Sequence, residues 1–139
     1  MNLKLLSWNV RGANDINKRR IIKSVVRKQK VDLLCIQETK IQLMTEGVVK
    51  NLGVGRFLDW RALEAVGAAG GVLICWDKRS LEILEWEEGQ FSISCKFRNV
   101  ENGVVWCLRV FMALSPKRIG SVFGTNLGQS EEFGENPGV

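Results

Sequence analysis

The sequence predicts an α/β (α+β) domain with a mixed sheet, one crossover helix and an antiparallel meander, on three observations. Residues 3–36 read as strand, helix, strand; residues 70–112 hold four short strand-like runs separated by Gly-rich or polar turns; and two early apolar runs end in oxygen-bearing side chains. In "LLSWNVRG" (5–12) Asn9 stands where the apolar run gives out, and in "VDLLCIQETK" (31–40) the run closes on Gln37-Glu38 and Lys40.

Taken in order, residues 3–8 are mostly apolar, the pattern of a strand buried on both faces. From Asp15 the period becomes helical. Ile16, Ile21, Ile22, Val25 and Val26 fall near one stripe, Lys18, Arg19, Arg20, Lys23, Arg27 and Lys28 lie largely off it, and Asn14 or Asp15 serves as N-cap. "VDLLCI" (31–36) is a second strand, and a strand–helix–strand unit of this length is a crossover between parallel strands. Both strands then run the same way, so Asn9 and Glu38 sit at their carboxyl ends on one sheet edge, where α/β proteins form ligand sites.

Residues 41–53 suggest a helical turn. "GGVLICWD" (70–77), "LEILEWE" (81–87), "FSISCKF" (91–97) and "GVVWCLRVFM" (103–112) follow as strands, and Asn102-Gly103 predicts a two-residue hairpin turn. The main domain is placed at 1–112. Residues 113–139 are expected to form a divergent, partly helical and frayed tail, in which Gly120, Gly124 and Gly128 interrupt an amphipathic stretch opened by Ser115-Pro116.

A hydrophobic content of 45% with 25% charged residues fits one globular domain and excludes a disordered chain. The longest apolar runs fall far short of the roughly 20 residues a membrane helix needs, and Met1-Asn2-Leu3-Lys4 does not open a signal peptide. No membrane partner and an intracellular location are expected. Cys35, Cys75, Cys95 and Cys107 lie in strand-like runs without a C-x-x-C pair, and the chain has no histidine, so they read as buried thiols rather than zinc ligands. The net charge of +5 is unevenly placed: residues 1–60 carry 12 Lys/Arg against 5 Asp/Glu, the remainder 8 against 10. A basic half suits a polyanion such as nucleic acid and equally suits a solvated helix face.

A carboxylate and an amide carbonyl on neighbouring strand ends are hard oxygen donors suited to Mg²⁺, which takes few protein ligands and keeps several waters. Arg11 and Lys40 lie beside them in sequence and suit the flanking phosphates of a phosphodiester. From spacing alone, ordinary turn chemistry at Asn9 and a solvated Glu38 are the commoner explanation, and the metal reading stays open beside them.

"SWNVRG" followed by "DLLCIQETK" resembles the first two motifs of the endonuclease/exonuclease/phosphatase superfamily, and "GAAGGVLICWD" continues the match. The likeness is greatest to the endonuclease domain of plant non-LTR (LINE-type) retrotransposons, which precedes a reverse transcriptase, and it covers residues 3 to about 112 well and the tail loosely. The resemblance implies an incomplete four-layer sandwich, a divalent-metal role for Asn9 and Glu38, a structural role for Gly70 and Gly71, and strand-end packing and turn roles for Trp76 and Asp77. It also implies chemistry that this chain lacks. The superfamily uses a tyrosine, an Asp-x-Asn motif and an Asp-His pair, whereas the chain has no tyrosine and no histidine, and Phe111 in "VFMALSP" stands near the tyrosine position.

The expectation is therefore a truncated Mg-dependent endonuclease-like domain of retrotransposon origin that holds Mg²⁺ weakly and does not turn over, since losing a positioned acid or base costs about 10²–10⁴-fold. Such a protein would be nuclear if that ancestry is expressed functionally. Two other readings stay open: a non-cutting module that binds DNA through its phosphates, and a gene fragment with no selected function. A half sandwich is further expected to leave one apolar face of the 81–112 meander uncovered, a route to self-association.

Overall fold

A computed structural model describes residues 3–52, 58–67, 69–112, 122–126 and 129–132. The first β-strand, β1 (Leu5–Asn9), is followed by helix α1 (Ile16–Gln29), β2 (Leu33–Gln37), a short helix α2 (Glu46–Leu52), β3 (Leu58–Leu63) and β4 (Val72–Asp77). Then come β5 (Leu81–Glu88), β6 (Ser92–Asn99), β7 (Val105–Phe111), β8 (Val122–Asn126) and β9 (Gln129–Glu132). They form two sheets, of order β1-β2-β4-β3 and β5-β6-β7-β8-β9.

The first sheet is mixed, because α1 returns the chain to run β2 parallel to β1 while β4 lies antiparallel to both β2 and β3. Its continuous apolar runs are explained by burial on both faces. Leu34, Ile36, Leu73 and Cys75 join Ile22 and Val26 of α1 and Val49 and Leu52 of α2 in one core. Leu33, Cys35, Ile74 and Trp76 face the other way, onto Ile93, Cys95, Phe97, Trp106, Leu108 and Val110 of the second sheet. Phe97 is fully buried there, with Trp76 edge-on at 5.0 Å and Trp106 tilted at 5.1 Å. Among the described residues this makes three layers, helices, sheet and sheet.

Asp15 caps α1 as expected, its carboxylate accepting from the Asn17 N–H at 2.9 Å, and Lys30 ends the helix at φ 52°. Cys35, Cys75 and Cys95 are buried and Cys107 is half-buried, all as free thiols. Burial pushes the Cys75 and Cys95 thiols up to about 12 and Cys35 higher still, so these sulfurs stay protonated.

The structure departs from or adds to the sequence reading in four places. The apolar face of the meander is not open, because the first sheet covers it. Residues 58–63 form an edge strand that sequence reading did not assign. Its Asp59 and Arg61 occupy inward positions across from Trp76 and Ile74 and hide the alternation that marks a strand. Asn102-Gly103 does not form a two-residue turn. The loop spans residues 100–104, closed by Asn99 N–H to Val104 O and by Gly103 N–H to Asn99 O, with Gly103 at φ 75°. The described parts of the expected partly helical tail, β8 and β9, are strands: β7 offers an open ladder, and glycines that weaken a helix are tolerated in an added edge hairpin. The rest of 113–139 lies outside the described residues.

Candidate metal and phosphate site

The carboxyl ends of β1 and β2 are neighbours in the register Asn9↔Gln37, and the chain leaves both strands there into short loops that are stitched to each other. Val10 N–H donates to Gln37 O at 3.0 Å, Gly12 N–H to Glu38 O at 2.7 Å and Ala13 N–H to Thr39 O at 2.8 Å. The second loop is tied in turn to the entry of β4, with Thr39 N–H to Gly71 O at 3.2 Å and Lys40 N–H to Gly70 O at 2.8 Å. Gly71 is required at this crossing. It has φ 97°, and a Cβ there would run into Thr39 Oγ1, so the structural role implied for Gly70-Gly71 matches the geometry. Two α1 cations close the first loop from outside, Lys18 Nζ donating to Val10 O at 2.9 Å and Arg19 Nε to Ala13 O at 2.6 Å.

Within this frame the four residues singled out from sequence come together. Asn9, 8% exposed, donates from Nδ2 to Glu38 Oε2 at 2.9 Å and accepts on Oδ1 from the Arg11 N–H at 3.1 Å. Glu38 is half-buried; Arg11 and Lys40 are exposed, and neither enters an ion pair among the described residues. The Lys40 stem packs beside Gly12, its Cδ 3.6 Å from where a Cβ would stand.

Three of these four residues are held in the left-handed region, Arg11 at φ 53°, Glu38 at φ 54° and Lys40 at φ 58°. The only other non-glycine with positive φ among the described residues is the helix-ending Lys30. Each such conformation costs about 1–2 kcal/mol, and strain of this kind concentrates where side chains are aimed for use.

Two neighbours were not assigned a role from sequence. Gln37 is 3% exposed on the sheet face shared with Asn9 and Ser7, its Nε2 donating to Ser7 Oγ at 3.2 Å while its buried Oε1 has no partner among the described residues. Thr39 is fully buried against Gly71, with Oγ1 accepting from the Ile41 N–H at 3.3 Å. The signal for Gln37 was present in the parallel register: a residue across from Asn9 must share its face.

The donor set fits a hydrated Mg²⁺. One carboxylate, an amide oxygen with a second lone pair and an orphaned buried acceptor suit an ion that binds through one or two carboxylates and keeps its waters. No group of three or more His, Cys, Asp or Glu side chains capable of holding a metal occurs among the described residues, so any such site is a sparse one.

No family model matches the chain, and no curated protein matches it in sequence. Solved structures match it in fold. A D. rerio TDP2 humanised by 14 mutations superposes with a TM-score of 0.51 at 19% identity, covering 74% of this chain and 46% of that one. An AP endonuclease from Archaeoglobus fulgidus gives 0.50 at 19% identity, covering 70% and 40%. The chain thus spans less than half the length of either structure. The fold is the mixed α+β, two-sheet fold of the endonuclease/exonuclease/phosphatase type.

Proposed function

We propose that this chain carries the metal-holding corner of a Mg-dependent phosphodiester-hydrolysing site, of retrotransposon-endonuclease type, that binds Mg²⁺ weakly and does not turn over. The observation that carries the reading is the Asn9–Glu38 pair at 2.9 Å on the merged ends of two parallel strands, with Glu38 itself and the flanking Arg11 and Lys40 in strained backbone. Glu38 would hold the cation, Asn9 would fix the carboxylate and offer its amide oxygen, and Arg11 and Lys40 would engage flanking phosphates. When bound, the cation supplies charge neutralisation at a phosphoryl oxygen. The chain's 139 residues hold no histidine and no tyrosine, so neither an imidazole base nor a phenolic hydroxyl can be drawn from them.

The test is a titration with Mg²⁺ or Mn²⁺, run beside an assay of plasmid nicking. Millimolar or weaker cation binding that Glu38→Gln abolishes, without nicking, is the expected result. Binding unaffected by Glu38→Gln would overturn the site, and robust nicking would overturn the inactivity.

A specific observation also favours phosphate binding without cutting. α1 carries no acidic residue, and none of the ion pairs among the described residues includes Arg20, Lys23, Arg27 or Lys28. Under this reading affinity for duplex DNA falls steeply with salt and survives Glu38→Gln.

A further inference from the structure

Gln37 is a group whose burial the fold alone does not explain. Its face of β2 is otherwise apolar, with Leu33 and Cys35 packed into the core between the sheets. Its amide is 3% exposed, one end donating to Ser7 Oγ and the other, Oε1, buried without a partner among the described residues. A buried acceptor left unpaired opposes folding, and an apolar side chain of similar length would fill the same volume without that penalty. What the position does provide is proximity to the site. Gln37 precedes Glu38 in the chain and lies directly across from Asn9 in the parallel register, so it shares the sheet face of Asn9 at the strand ends where the Asn9–Glu38 pair forms.

We infer that Gln37 is a positioning residue whose Oε1 accepts a hydrogen bond from a water in the shell of a divalent cation held at Glu38. This rests on the metal reading above and deepens it. A strongly hydrated ion presents its waters as donors, and those waters need acceptors. Among the nearby groups, Glu38 Oε2 accepts from Asn9 and Asn9 Oδ1 from Arg11, each with a lone pair left to face the cation, whereas Gln37 Oε1 has no partner among the described residues. The three side chains then divide the work: Glu38 supplies charge, Asn9 orients Glu38, and Gln37 receives the water.

The inference separates stability from ion binding, and two measurements on the full chain read the two effects. Thermal unfolding in a chelator compares wild type with Gln37→Met, and Mn²⁺ titration followed by water-proton relaxation compares wild type, Gln37→Met, Gln37→Glu and Glu38→Gln. Gln37→Met is expected to unfold at the same or a higher temperature than wild type while binding Mn²⁺ about tenfold more weakly, the usual effect of losing a group that supports metal ligands from behind. Gln37→Glu, which keeps an acceptor in place, is expected to retain binding. A Gln37→Met protein that unfolds well below wild type would assign the amide a structural role and overturn the inference. Wild-type Mn²⁺ affinity in Gln37→Met, with binding lost in Glu38→Gln, would overturn the inference and leave the site standing. Absence of Mn²⁺ binding in wild type would overturn both.

Discussion

The β1–α1–β2 unit and the β5–β6–β7 meander face each other across one core yet are built in opposite ways. The first, together with the loop that leaves β2, carries all four non-glycine residues with positive φ among those described, and its helix has six cations and no acid. The second is regular apart from one bulge near Leu84, and four of its outer-face charges are paired across strands, Lys96 with Glu85 and Arg98 with Glu82. Paired charge on an ordinary ladder supports a sheet and little else. Unpaired charge on strained loops lowers stability, so the unit that holds Asn9 and Glu38 is maintained at a cost the meander does not carry.

The largest effect expected comes from the surface the two regions share. Phe97→Ala removes a fully buried ring held between Trp76 and Trp106, and should lower the urea unfolding free energy by about 3–5 kcal/mol. A loss near 1 kcal/mol would mean that the sheets are not packed through this residue.

Two glycines then sharpen the contrast. Gly71→Ala forces a Cβ into Thr39 at φ 97°, combining backbone strain with a clash at the site loops, and should cost about 2–4 kcal/mol. Gly103→Ala at the meander loop has φ 75° but meets nothing within 4 Å, so only the strain of about 1–2 kcal/mol remains. Equal losses at the two positions would remove the claim that the site loops are the tighter structure.

Relief of strain is smaller and opposite in sign. Lys40→Gly should stabilise the chain, by at most about 1 kcal/mol, because glycine adopts φ 58° freely but also gains entropy on unfolding. The same substitution should weaken binding of a phosphodiester oligonucleotide, since it removes an exposed ammonium next to Gly12. Lys30→Gly, at the helix end, should give the stability gain alone.

How much of this was legible follows from where the signals lie. The crossover unit was readable because the strand runs, the helical stripe and the Asp15 cap agree with one another, and its parallel register brings Asn9 to Glu38 without further information. β3 was not, because its inward Arg61 is half-buried by stacking at 5.1 Å over Trp86 and 5.8 Å over Trp76, a solution that no period-two count registers. The cover on the meander's apolar face was illegible for a related reason. Burial of 81–112 depends on a sheet formed by residues earlier in the chain, and a local pattern shows only that one face must be covered.

The smallest effect lies at the opposite end of the first sheet. Asp77 closes β4, 7% exposed, with Oδ1 accepting from the Arg79 N–H at 2.8 Å and Oδ2 from Arg79 Nη2 at 2.7 Å. The Arg79 side-chain hydrogen bonds hold its carboxyl below the usual 3.8, against the opposing effect of burial. Because the folded value is the lower one, the unfolded chain takes up the proton first as pH falls. The stabilisation is thus complete above about pH 4 and is lost as pH drops through the folded value. Arg79 is well exposed, which keeps the effect modest. Comparing wild type with Asp77→Asn in urea from about pH 6 to about pH 3 should show a stability difference that is constant at first and narrows below about pH 4. The exposed Lys96–Glu85 pair of the meander should instead weaken with added salt, and a difference at Asp77 that is as salt-sensitive and pH-independent would show that its carboxylate is no better held than those on the outer sheet.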